Sequence, residues 1–145
     1  MPTFRSRLLA LTLALAAPAL NSCSKVDHGP HAATASPQQQ QLTTGSWRLD
    51  QIKEAGQVTG SGAAIKDQHS LTFRADGTYT QKLLGTAITY DGTWMLMSSN
   101  TALHLTDHKR DTNHYILANL TATELRYTFT NKTGQAEEHT YSAQP

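Results

Sequence analysis

At 145 residues, with 12 Lys and Arg against 11 Asp and Glu, the chain is close to electroneutral. That balance argues against a nucleic-acid binder, which carries a basic patch or stripe. A single cysteine excludes an internal disulfide.

The chain opens on MPTFRSR, which has two arginines and no acid, and continues as LLALTLALAAPAL. About 13 apolar residues are too few for a permanent bilayer span and match a secretory h-region. The run ends in LNSC, where Leu20, Ser22 and Cys23 resemble the bacterial lipobox. The resemblance implies a signal peptide over residues 1–22 and a diacylglycerol, with palmitate-type chains, on Cys23. Such chains anchor a protein firmly to a membrane, at roughly 0.8 kcal/mol per buried methylene. The alternative is an ordinary signal peptide cut nearby, leaving a free thiol. Ser24 stands where an aspartate would favour inner-membrane retention, so the expected location is the cell envelope, at the outer membrane where the host has one. Without residues 1–22 the chain keeps 10 basic and 11 acidic residues, a formal charge of −1. No second long apolar run follows, so the remainder is not expected to cross a membrane.

Residues 23–44 are expected to be the lipidated cysteine and a disordered tether. Ser24–Thr44 holds one valine, one leucine, two prolines and four successive glutamines, too little apolar surface to offset its ordering entropy. His28 and His31 have no third metal donor nearby and are assigned no role. Residues 45–145 then form one domain with a small core.

Period-two alternation dominates that domain. SWRLDQI sets Trp47 and Leu49 against Arg48 and Asp50. EAGQVTGSGAAIKDQH has no strand pattern, with a short helix conceivable over Ala63–Asp67. SLTFRADGTYTQKLL places Leu71 and Phe73 before Asp76-Gly77, a pair that predicts a type I′ hairpin, and Tyr79 after it. AITYDGTWMLMSS puts Ile88, Tyr90, Trp94 and Leu96 on one face and Met95 and Met97 on the other. The methionines read as an exposed contact surface or as an interior-facing bulge. Leu103 and Leu105, then NHYILANL, ELRYTFTN with Tyr127 and Phe129, and EEHTYSAQ complete about eight short strands. Consecutive hairpins without crossover helices predict an all-β fold, an antiparallel up-and-down barrel closing its own edges. An open sheet or sandwich of the same strands is the rival. Eight strands enclose a space filled by side chains or by one small ligand.

GSWRLDQI, LTFRADGTYT, GTWML, ALHLTD and YILANLTATELRYTF, in that order, resemble the small lipocalin-like lipoproteins of bacterial envelopes. The resemblance covers most of residues 45–130. It implies a lipocalin-like barrel, exported and lipid-anchored, that holds small apolar molecules. In larger lipocalins the first tryptophan packs across the closed end near a late-strand arginine. Arg126 is the candidate here, but alternation against Leu125, Tyr127 and Phe129 points it outward.

No Gly-x-Ser-x-Gly elbow, phosphate loop or His-Glu-x-x-His is present, so no catalytic residue or cofactor is assigned and the expected role is non-enzymatic. Glu137 and Glu138 are adjacent and would face opposite sides of a strand. His104, His108 and His114 fall around one loop with Asp107 and Asp111, donors suited to a divalent metal. Their spacing fits no helix or knuckle motif, and Asp107, Lys109, Arg110 and Asp111 read more simply as a solvated hairpin tip, so no metal site is assigned. The inward-alternating set Trp47, Leu49, Leu71, Phe73, Tyr79, Tyr90, Trp94, Leu96, Leu103, Leu105, Tyr127 and Phe129 either fills the core or lines an apolar pocket. Tyr90 and Tyr127 would offer it hydroxyls. The expected function is an anchored envelope lipoprotein holding a small hydrophobic ligand. The alternative is a scaffold with a filled barrel that docks unknown protein partners.

Overall fold

The computed structural model describes residues 34–145. The expected signal peptide, Cys23, His28 and His31 lie outside the described residues. Among the described residues no helix is long and apolar enough to cross a membrane.

The first element corrects an expectation. Within the stretch read as tether, Pro37–Leu42 forms a helix, α1. Ser36 and Gln39 form a reciprocal capping box and Pro37 stands at the first helical position, both strong helix-starting signals. Six residues are too short to hold a helix by themselves. Tertiary contacts hold this one: Leu42 is fully buried, and its carbonyl accepts the Trp47 indole N–H at 2.9 Å. Low apolar content hid α1, because a single leucine docks it.

Nine strands follow: β1 (Ser46–Glu54), β2 (Gln57–Ser61), β3 (His69–Phe73), β4 (Thr78–Leu83), β5 (Thr89–Met97), β6 (Ala102–Thr106), β7 (Thr112–Leu120), β8 (Glu124–Thr130) and β9 (Ala136–Gln144). All pair antiparallel, from β3 through β9 in chain order. β1 takes β9 along one edge. Its other edge is shared, Ser46–Arg48 pairing with β3 and Gln51–Glu54 with β2. Eight strands therefore close a lipocalin-like up-and-down barrel, and β2 is an extra flap. β2 arises where no strand pattern was legible, and the conceivable helix is one 3-10 turn, Gly62–Ala64. β2 is mostly exposed on both faces, so its sequence carries no alternation to read.

The Asp-Gly hairpin forms, with a different turn. Gly77 N–H bonds the Arg74 carbonyl at 3.1 Å and Arg74 N–H bonds Thr78 O at 2.9 Å. Gly77 has φ +83°, while Asp76 is not left-handed. This is a type I turn closed by a glycine bulge, and the Asp76 carboxylate holds it by accepting from the Thr78 backbone at 2.9 Å.

Trp47, Phe73, Trp94, Leu103 and Leu125 pack the barrel end that α1 covers. Trp94 donates its indole N–H to the Arg74 carbonyl at 2.9 Å, so both tryptophans tie that end to its loops. The opposite end is ringed by the β4–β5, β6–β7 and β8–β9 turns and stays open.

Candidate functional site

The open end is built by the alternation of six strands, β3, β4 and β6 to β9. His69 starts β3, Tyr115 lies in β7, Tyr127 in β8, and Glu137, His139 and Tyr141 follow at steps of two along β9. The registers Tyr127↔His139 and Leu125↔Tyr141 bring β8 and β9 side chains together. A cavity of about 250 Å³ opens here, walled by His69, Gln81, Asp107, Asn113, Tyr115, Tyr127 and His139 over a floor of Leu71, Tyr79 and Leu105. Surface grooves of about 320 and 350 Å³ lie beside Ile65 and beside α1, but neither is walled by a buried titratable side chain.

Beneath the mouth runs one hydrogen-bonded chain. His69 Nδ1 lies 3.3 Å from the Asp67 carbonyl and its Nε2 lies 3.2 Å from the Tyr141 hydroxyl. Tyr141 and Tyr127 share a short hydroxyl–hydroxyl bond. Both hydroxyls approach His139 Nδ1, at 3.4 and 3.5 Å. His139 Nε2 lies 2.6 Å from Glu137 Oε1.

The acceptors at the two ends assign the tautomers. A carbonyl and a carboxylate only accept, so His69 carries its proton on Nδ1 and His139 on Nε2. Burial pushes both imidazoles below their ordinary pKa, the Glu137 carboxylate working in the opposite direction at His139. Burial likewise pushes Tyr127 and Tyr141 well up, and Tyr115 up to about 12. The rings are thus neutral imidazoles and un-ionised phenols at neutral pH. Two hydroxyl protons serve three links: to His69 Nε2, between the tyrosines, and to His139 Nδ1. The longest link, at His139, is the one left as acceptor capacity. A raised phenol pKa also opposes nucleophilic use of these tyrosines. The arrangement offers hydrogen bonds and aromatic faces.

Of the residues expected to line a pocket, Trp47, Leu49, Leu71, Phe73, Tyr79, Trp94, Leu103, Leu105 and Tyr127 are buried, and Leu96 and Phe129 are partly buried against them. Only Leu71, Tyr79, Leu105 and Tyr127 reach the cavity, and the others fill the core. Tyr90 sits at the rim, stacked on His108 with centroids 4.5 Å apart, and Ile88, expected inside, is exposed. Arg126 faces outward 3.7 Å from Glu124, and the Trp47 indole is bonded to Leu42 instead. Of the three loop histidines, His104 and His114 meet with their rings in contact while His108 lies apart, stacked on Tyr90, and Asp107 caps its own turn through the Lys109 and Asp111 N–H groups. Glu137 and Glu138 separate as expected, Glu138 pairing with Lys53 at 3.1 Å.

Sequence reading missed His69, Tyr115, Glu137, His139 and Tyr141 as site residues. The signal was present in EEHTYSAQ, whose period-two face is Glu137, His139, Tyr141. No family model and no curated protein matches this chain, so the molecule is defined by its architecture: a closed eight-stranded lipocalin-like barrel with a shallow polar mouth.

Proposed function

We propose that this chain is a lipid-anchored envelope lipoprotein that acts by binding a small hydrogen-bonding molecule in its barrel mouth. The observation that carries the binding reading is the network under the cavity, two neutral histidines and two phenols meeting in one apolar-floored space. Its acceptor capacity at His139 Nδ1 suits a ligand N–H or O–H, and the rings of Tyr79, Tyr115 and Tyr127 suit a planar face. Since drug-sized ligands occupy about 300–1,000 Å³, a cavity of about 250 Å³ above a filled core favours a small polar ligand over a long apolar one. Support for the anchor comes from the h-region and Cys23 in the sequence.

A fragment screen by NMR tests the mouth. Small hydroxylated or amide-bearing rings are expected to shift the His69 and His139 ring signals. Tight binding of long-chain fatty acids with those signals unmoved would overturn this reading. Labelling with a radioactive fatty acid tests the anchor: label should enter wild type and be lost on Cys23→Ala, and an unlabelled wild type in a lipoprotein-competent host rules the anchor out.

A filled scaffold that docks partners is the second reading. It is favoured by Met95, Met97 and Ile116, exposed together on the outer face of β5 and β7. Native mass spectrometry showing no bound small molecule in protein from its host, together with no response in the screen, would favour it.

A further inference from the structure

The outer wall carries a group of side chains that the mouth does not use. Trp94, Leu103 and Leu105 point into the core, so alternation turns Met95 and His104 outward, and His114 lies on the same outer face of β7. The registers place Met95 directly across from His104, and His104 directly across from His114. Three donors thus form one ladder across β5, β6 and β7, at the spacing where cross-strand side chains touch. The two imidazoles have already met: His114 Nδ1 lies 2.9 Å from His104 Nε2, with ring centroids 3.9 Å apart. Two nitrogens bound to one metal at about 2.0–2.1 Å are separated by about 3 Å, so the pair needs only ring rotation to chelate.

We propose that Met95, His104 and His114 form a copper site, favouring the cuprous ion. Among the described residues no three His, Cys, Asp or Glu side chains gather to hold a metal. The third donor in reach is a thioether, which is soft and selects Cu(I), whereas carboxylate partners suit harder ions. The neighbouring ladder, Met97–Ala102–Ile116, gives the site an apolar flank and a second thioether. Binding uses His104 Nε2 and His114 Nδ1 as ligands, so the ring that donates the shared hydrogen bond moves that proton to its own other nitrogen, which solvent can relay, and the accepting ring's proton stays where it is. The shared hydrogen bond is replaced by two metal–nitrogen bonds with no net proton release from neutral rings.

The test is anaerobic Cu(I) competition against a colorimetric chelator. It uses the full chain carrying Cys23→Ala in mild detergent, so that no thiol competes and His28 and His31 are common to every sample. The parent is expected to bind one equivalent more than the His104→Asn/His114→Asn double variant. Met95→Leu is expected to weaken that equivalent roughly tenfold or more, as loss of a soft donor requires, and to remove a sulfur scatterer from the copper X-ray absorption spectrum. All three residues are on the outer wall, and an unchanged circular dichroism spectrum verifies the fold. Equal stoichiometry in parent and double variant overturns the site. Unchanged affinity in Met95→Leu, or Zn(II) displacing Cu(I) at equal concentration, overturns the cuprous assignment.

Discussion

Gly92 lies across the strand pair from Tyr79, and a Cβ there would run into the Tyr79 ring and the Thr106 carbonyl. The absent side chain is what lets that ring lie flat over β5 and floor the mouth. Gly92→Ala should therefore destabilise the barrel by about 1–3 kcal/mol through overpacking, seen as a lower urea midpoint at unchanged slope. Arg110 shows the opposite case. Its N–H bonds the Asp107 carbonyl at 2.9 Å and it has φ +71°, the place that Gly77 and Gly134 hold in the other two turns of this kind. A left-handed conformation costs a side-chain-bearing residue roughly 1–2 kcal/mol, and glycine returns part of that as unfolded-chain entropy. Arg110→Gly is expected to stabilise by about 0.5–1 kcal/mol in the same titration, and a lower midpoint would contradict the strain argument.

At the scale of elements, α1 and β1 form one closing device. Leu42 plugs the covered end and its carbonyl holds Trp47, so Leu42→Ala should cost about 2–5 kcal/mol, the range for a fully buried leucine. Denaturant unfolding measures this, and a loss below 1 kcal/mol would mean that α1 is not part of the cooperative unit. The strands were legible because each shows one face to the core: Trp47 and Leu49, Leu71 and Phe73, Leu103 and Leu105, Leu125 and Tyr127 alternate cleanly. α1 and β2 were not, because a six-residue helix with one buried leucine and a flap exposed on both faces leave no periodic mark. The mouth was half legible. Tyr127 was found by alternation, but His69, His139 and Tyr141 become a site only when β3 and β9, separated by some 70 residues of chain, are brought together by closure through β1. The His104–His114 pair was sensed in the loop composition, but its partner is Met95, which strand register alone identifies.

For the whole molecule, closure places two imidazoles where they resist charging. Both His69 and His139 have folded pKa values below 6.5, burial being the larger cause at each. Against burial, the Asp67 carbonyl and carboxylate favour the charged form of His69 and the Glu137 carboxylate that of His139, while the His139 ring opposes charge on His69, and the Tyr127 and Tyr141 hydroxyls face the pair. In the unfolded chain both rings take up protons near pH 6.5, before the folded protein does. The unfolded state then binds more protons, and stability rises with pH across that window. The contribution is fully present above pH 6.5 and is lost as pH falls below it. Asp76 and Asp107, held below the ordinary carboxylate value mainly by hydrogen bonds, add a separate loss only below about 3.8. Thermal melts through the histidine window should therefore show a falling midpoint on acidification. His69→Gln keeps a polar group toward Tyr141 but cannot titrate, so its melting curve should depend less steeply on pH there. An equally steep dependence in that variant would mean that acid acts on the barrel elsewhere than at its mouth.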